Sequence, residues 1–390
     1  MSRMDFDVEV KLLKTSPDTI LTPLCIPDFR ELKSNTTKNK DFITFEIQVK
    51  NQPVDKLFIN ISDGDLPVFQ SELLPNMRQV GTHTWDWDGY NQAGILDTKI
   101  LKSSHLRVTV TAKKDSATKL STISLKGEPA QEDWVDVKID RNIRRAYVEI
   151  RLNLKDGGAR GVGRLPPEEI FQTQKYRNHH MPDYMTARHI RHIGFNDLKQ
   201  MVFSAVKKSW SRGINLTTKN QCSHFEILTK PIQSEKNAMD DIYLEYNANG
   251  PFIRSSNPGK VRNVISFLGN VLSEKIVYNT GWVRVSGIWH FADKDVSDSK
   301  FMYSAAHEIG HEILSSYGTS IYSYSHKGSS TLLTQSPKPI NSGGLLYPEN
   351  TEVDLMKYYN DGNAGDFTPQ TRAGETDVKS LLWISRVSFK

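Results

Sequence analysis

His307, Glu308 and His311 form the pattern H-E-x-x-H inside Ala306–Leu314, and these residue types at this spacing can carry out metal-assisted hydrolysis. Residues four apart leave the same face of an α-helix one turn apart. Two imidazole nitrogens can then reach one zinc ion at about 2.0–2.1 Å each. Glu308 follows the first imidazole and can face a water on the ion. Zinc lowers the pKa of such a water to about 7, and a carboxylate beside it can take the proton and later return it. The chemistry this predicts is Zn2+-dependent hydrolysis of a peptide bond.

The segment must be a helix for the spacing to work. Met302, Ala305, Ala306, Ile309, Ile313 and Leu314 recur at helical intervals, which predicts a buried amphipathic helix. Asp295, Asp298 and Ser299 offer acidic and capping groups near its start, and Gly318 offers a stop. A catalytic zinc commonly has three protein ligands and one open position. Leu314 and Tyr317 stand where H-E-x-x-H-x-x-G-x-x-H would need Gly and His, so the third ligand comes from elsewhere. Downstream candidates are His326, Glu352 and Asp354. His326 lies in a Ser/Tyr-rich stretch, Tyr322–Ser330, which reads either as a loop lining the cleft or as ordinary surface.

The rest of the chain must position this helix. Its 390 residues, 37% of them hydrophobic, suffice for two or three domains with real cores. The net charge of +5 is mild and the Lys and Arg residues are scattered, which argues against nucleic acid as a partner. No apolar run is long enough to cross a bilayer, and no signal peptide is visible at Met1–Asp7, so synthesis in the cytoplasm is expected. Cys25 and Cys222 form no metal-binding pair; whether they bridge is open.

Residues 1–154 read as β-rich. Ile43, Phe45, Ile47 and Val49 alternate with polar residues, and 57–61, 106–112, 135–139 and 146–154 repeat the pattern, which predicts an antiparallel sandwich. Trp85-Asp86-Trp87-Asp88-Gly89 resembles the W-D-G turn of immunoglobulin-like repeats in bacterial surface and export proteins. It predicts a closed turn with inward-facing tryptophans. The glycine-rich stretch 155–163 reads as a joint, within a connecting segment over 155–195. His179, His180, His189 and His192 lie in or near this segment. No acidic or Cys partner stands at ligand spacing, so packing is expected of them rather than a second metal. From 196 to 390 the order is a helix over 197–212 capped by Asn196, strands near 225–228, 242–246, 275–278 and 282–292, the H-E-x-x-H helix, and a terminal helix over 377–384.

Glu352-Val353-Asp354-Leu355-Met356-Lys357-Tyr358 resembles the Met-turn of metzincin-type metallopeptidases, where a Met lies under the metal and a Tyr follows two residues later. The resemblance makes Tyr358 the candidate oxyanion stabiliser. It also favours Glu352 as the third ligand, with Asp354 and His326 as alternatives. Taken with S-H-K-G at 325–328, the region 300–360 is similar to metallopeptidase toxin domains of type VI secretion effectors and polymorphic toxins. The expected fold class is α+β: an immunoglobulin-like β-sandwich region followed by a metzincin-like zinc metallopeptidase domain. In that family the strand before the zinc helix is an edge that pairs with extended substrate, a part that 282–291 would play.

The resemblance implies an antibacterial toxin delivered to a rival's periplasm. It also implies a protein or peptidoglycan-peptide substrate, a cognate immunity protein and a secretion-spike partner. The alternative reading is a non-catalytic protein that binds the envelope or the spike, with a structural zinc site whose four ligands include His326 and Glu352.

Overall fold

Alternating apolar and polar residues set the strands of the first part of the chain, because one face of each is buried and the other solvated. The computed structural model describes residues 5–14, 19–33, 40–164, 168–172, 190–218, 221–257, 274–332, 334–348, 351–360 and 370–390. The chain is α+β and rich in strand, and it divides into two units that are not consecutive in sequence. Unit 1 comprises residues 1–149, 213–227 and 379–390; unit 2 comprises 150–212 and 228–378.

Unit 1 contains β1 (Asp7–Leu12), β2 (Ile20–Leu21), β3 (Ile43–Lys50), β4 (Lys56–Asp63), β5 (Leu66–Glu72), β6 (Gly81–Trp87) and β7 (Ile95–Asp97). These are followed by a one-turn helix α1 (Thr98–Leu101), then β8 (Leu106–Lys114), β9 (Ala117–Ser124), β10 (Gly127–Pro129) and β11 (Val135–Asp140). One antiparallel sheet has the order β1-β3-β6 and another the order β5-β4-β8-β9. Phe45, Ile47, Val49, Ile59, Ile61, Val108 and Val110 supply buried apolar faces. After β6, Gly89 takes φ +78°, a conformation that favours glycine, and a Cβ there would press on Leu21 Cδ1 at 2.7 Å. Trp87 is buried and donates from Nε1 to the Tyr90 carbonyl at 3.0 Å, while Trp85 stacks on Phe45.

The glycine-rich stretch expected to be a joint is instead the end of a long strand, β12 (Arg145–Arg160). A Cβ at Gly157 would meet Glu245 Cγ at 2.7 Å and the Leu244 carbonyl oxygen at 3.1 Å. The pairing register also shifts between Asp156 and Ala159. Gly157 therefore serves close strand approach at a bulge rather than a hinge, and residues 161–163 form a turn beyond the strand.

In unit 2 the connecting segment holds a short helix α2 (Glu168–Gln172), then the long α3 (Phe195–Trp210). Gly194, not Asn196, occupies the N-cap of α3, and the Asp197 carboxylate accepts from the Gly194 amide at 3.0 Å. Most of β13 (Arg212–Thr218) and the first part of β14 (Gln221–Gln233) fall in unit 1; β14 continues in unit 2, where β15 (Asp241–Pro251), β16 (Lys275–Val285) and β17 (Ile288–Ala292) complete a sheet with the order β14-β12-β15-β16-β17. β15 pairs in parallel with β12 and β16, and its residues from Leu244 to Gly250 are buried without alternation, as a strand covered on both faces should be. The single strand expected over 282–292 is a hairpin: β16 turns at Ser286 and Gly287 and returns as β17, which ends the sheet.

The helix carrying H-E-x-x-H is α4 (Lys294–Tyr317). Its cap is Asp293, two residues before Asp295, and the Asp293 carboxylate accepts from the Val296 amide at 2.9 Å. Gly318 closes it, donating to the Leu314 carbonyl at 2.9 Å. α4 packs on α3 and on β16. A one-turn helix α5 (Ser320–Tyr324), the short parallel pair β18 (Val353–Asp354) and β19 (Thr371–Arg372), and α6 (Glu375–Ile384) follow. The last strand, β20 (Val387–Phe389), pairs with β10 and β2 in unit 1.

Of the upstream histidines, His179, His180 and His189 lie outside the described residues. His192 packs edge-on against Tyr246 and Tyr278, with Nδ1 at 3.1 Å from the Tyr246 hydroxyl.

Candidate metal centre

Helical spacing brings the His307 and His311 rings together, with centroids 4.8 Å apart. A third ring, His326, stands 5.1 Å from His307 and 4.8 Å from His311. All three are buried, and one ligand atom from each lies within 4.8 Å of the others. Among the described residues they are the group of three His, Cys, Asp or Glu side chains close enough to share an ion.

Outer partners orient the rings. His307 Nδ1 donates to the Leu355 carbonyl at 2.7 Å. The Ser323 hydroxyl donates to the His311 carbonyl at 2.7 Å, which leaves its oxygen to accept from His311 Nδ1 at 3.1 Å. His326 Nδ1 lies 2.8 Å from the Ser330 hydroxyl. With Nδ1 donating in His307 and His311, the Nε2 lone pair of each is left for another partner, and His326 offers the same when its Nδ1 donates to Ser330. The Nε2 atoms of His307 and His326 are buried and have no hydrogen-bond partner in the structure. A buried nitrogen acceptor without a partner is costly, and a divalent cation satisfies it. The three imidazoles therefore fit a metal ion by the chemistry of their donors.

Burial keeps these rings neutral, which is the form that ligates. It lowers His307 from its ordinary value to about 4 and holds His311 and His326 well below theirs, with neighbouring cationic and imidazole groups pushing the same way.

His326 stands where the sequence favoured Glu352. The Glu352 carboxylate is not brought to the histidines; it accepts from Arg212 at 2.6 Å and is half exposed. Asp354 is not brought to them either, being held by Lys327 at 2.6 Å and by the Met356 amide at 3.0 Å. The reason lies in the backbone. His326, Lys327 and Gly328 have φ of +51°, +58° and +85°, and this left-handed turn aims the His326 ring back at α4. Gly328 hinted at such a turn in the sequence, but two successive non-glycine residues in this region were not foreseeable from it.

Met356 lies against the helix at Gly310. A Cβ on Gly310 would overlap Met356 Sδ and would stand 2.7 Å from Trp210 Cζ2. Trp210 also donates from Nε1 to the Ala306 carbonyl at 3.1 Å. Glycine within H-E-I-G-H thus admits the methionine and the tryptophan side by side.

Glu308 stays close to the cluster. Its carboxylate accepts from the Asn257 amide at 2.9 Å. Burial pushes the group up to about 7, against the opposing pull of Arg254 and of that amide. Tyr358 stacks on His326 with ring centroids 3.7 Å apart, and its hydroxyl accepts from Arg254 at 2.7 Å. Burial pushes the phenol up to about 12. Sequence reading missed Arg254 and Asn257. They lie about 50 residues before Glu308, in a segment with no motif.

Two cavities meet at this point. The larger, about 630 Å³, has apolar walls from Val277, Val283, Phe291 and Phe301, and reaches His307 and Glu308. The smaller, about 260 Å³, reaches His311 and is lined by Ser256, Asn257 and Gln335. Arg254, Ser255, Glu308 and Tyr358 line both. No protein-family model matches this chain, and no match is found among curated proteins.

Proposed function

We propose that this protein is a zinc-dependent metallopeptidase in which His307, His311 and His326 hold the ion. The observation that carries the reading is the convergence of three buried, Nδ1-anchored imidazoles, two with orphaned Nε2 atoms, beside the Glu308 carboxylate held by the Asn257 amide. A zinc ion bound there would supply Lewis-acid polarisation of the scissile carbonyl and acidify a water. Glu308 takes a proton from the attacking water as the new C–O bond forms. It delivers that proton to the leaving nitrogen as the C–N bond breaks. The Asn257 amide holds the carboxylate in line for both transfers. Arg254 donates to the Tyr358 oxygen, so the Tyr358 hydroxyl hydrogen is free to meet the developing oxyanion.

The two cavities flank the reacting centre, which suits a peptide lying across it. The larger has apolar walls and the volume for a bulky side chain beside the scissile bond, so the substrate class is peptides carrying a large apolar residue there. β17 ends the sheet and contributes His290, Phe291 and Ala292 to the same cavity, where substrate can add as a strand. The similarity of 300–360 to toxin domains extends the reading to an immunoglobulin-like delivery region and a metzincin-like domain. It further extends to secretion against rival bacteria, with a periplasmic target, an immunity protein and a spike partner. A closed four-ligand structural site would need Glu352 beside His326, and the Arg212 pair speaks against it.

Two measurements test the enzyme. Elemental analysis should find about one zinc per chain. Glu308→Gln should keep the metal while peptide hydrolysis falls by about 10²–10⁴-fold. Hydrolysis at the wild-type rate in that variant would remove the proposal. For delivery, expression with an export signal should be toxic to a test bacterium, and cytoplasmic expression harmless.

A further inference from the structure

The residue after His326 is a largely buried cation that lines neither cavity. Lys327 Nζ lies 2.6 Å from Asp354 and 2.8 Å from Asp377, and Asp377 is fully buried. Both carboxylates are within ion-pair distance of Nζ, so the ammonium is held between two opposite charges. Each carboxylate has a second duty. Asp354 accepts from the Met356 amide at 3.0 Å and so shapes the turn whose preceding carbonyl, Leu355, orients His307. Asp377, in the first turn of α6, accepts from the Gly374 amide at 3.0 Å. Gly374 lies directly over the charges: a Cβ there would stand 3.1 Å from Lys327 Nζ.

The backbone that Lys327 holds is in a conformation that side-chain-bearing residues disfavour. His326 and Lys327 are both left-handed, and such a turn persists only where its surroundings over-determine it. Other bonds bind the same turn: the Lys327 amide donates to the Tyr322 carbonyl at 3.0 Å. The Ser329 hydroxyl donates to the His326 carbonyl at 2.7 Å and accepts from the Tyr358 amide at 2.8 Å.

We propose that Lys327 is a positioning residue for the metal centre: its clamp on Asp354 and Asp377 locks the left-handed turn that presents His326 and joins that turn to the one that orients His307. This rests on the metal-binding reading above, and it is tested by metal affinity rather than by hydrolysis. Zn2+ and Co2+ are titrated into the metal-free full chain, wild type and Lys327→Met, with Co2+ visible absorption reporting the ligand set. Lys327→Met is expected to bind both ions about 10–100-fold more weakly, as losses of groups that orient ligands do, with a changed Co2+ spectrum.

Adding Asp377→Asn to Lys327→Met removes a buried carboxylate that has lost its cation. Melting temperature should recover while affinity does not. Recovery of affinity together with melting temperature would reduce Lys327 to a stabilising residue and overturn the proposal, as would wild-type affinity and spectrum in Lys327→Met. Should Lys327→Met not fold, Asp354→Asn, which leaves the Asp377 pair in place, is expected to weaken both ions and is read by the same criteria. A wild-type chain that binds neither ion would overturn the metal centre itself, and the clamp with it.

Discussion

His307 Nδ1 donates to the Leu355 carbonyl at 2.7 Å, across 48 residues of sequence. One bond thereby sets the tautomer of the first candidate ligand and fixes the turn at Met356 beneath it. The Nε2 lone pair is left near the other two imidazoles, an arrangement that could hold a metal ion.

The ligand set separates cleanly by substitution. His326→Ala is expected to weaken Zn2+ binding by 100-fold or more, on the order of 3 kcal/mol, because two imidazoles alone complete a poor site. Glu352→Ala is expected to leave affinity unchanged, since its carboxylate engages Arg212 at a half-exposed position. Loss of that pair should cost no more than about 1 kcal/mol of stability. Calorimetric zinc titration of both variants checks the assignment, and a zinc-free Glu352→Ala protein would reverse it.

Gly310→Ala brings a methyl group into Met356 and Trp210. Helix propensity alone would favour the change by about 1 kcal/mol, but overpacking of a rigid core costs about 1–3 kcal/mol. The expected net effect is a lower melting temperature. Combining it with Met356→Ala, which vacates the space, should soften the packing penalty. Thermal melts of the two single variants and the pair measure the coupling.

Acid should destabilise the metal-free protein, and the sign follows from opposing groups. His307 falls to about 4 from an ordinary 6.5, so the unfolded chain binds the proton first, and stability is lost as pH drops from 6.5 towards 4, by about 3 kcal/mol for this ring. Glu308 rises from 4.5 to about 7, so its contribution runs the other way, present below pH 4.5 and lost towards pH 7, by a similar amount. His311 and His326 are lowered as well and tip the sum. Denaturant midpoints should therefore rise between pH 4.5 and 6.5, and more steeply in Glu308→Gln. A flat or falling profile would contradict the neutral, buried imidazoles.

Val283, on β16, is a buried wall of the larger cavity, and Val283→Trp should narrow it. Cleavage of a peptide library is expected to lose its preference for large apolar residues by about 10–100-fold in kcat/KM, while small residues at that position remain accepted. Zinc content should not change. If the wild-type protein cleaves peptides without such a preference, the proposed substrate class falls and the proposed hydrolase remains.

Much of the frame was legible because it depends on local periodicity. Alternation marked the strands of unit 1, and the apolar stripe through Met302, Ala305, Ile309 and Ile313 marked α4. Four-residue spacing alone obliges His307 and His311 to share a face, and Gly318 stops the helix where it was expected to. The Gly157–Gly158 stretch misled, because glycine serves a hinge and a close strand approach equally well, and only the neighbour at Leu244 distinguishes them. The third imidazole was beyond reach of spacing. Glu352 lies just before the Met356 turn and His326 30 residues before Met356. Which of them meets the helix was decided by two left-handed residues, a buried lysine between two carboxylates, and an arginine that claims the rival carboxylate. Those are relations between segments distant in the chain, and charge pairing and backbone strain of this kind exist only once the tertiary structure has brought the segments into contact.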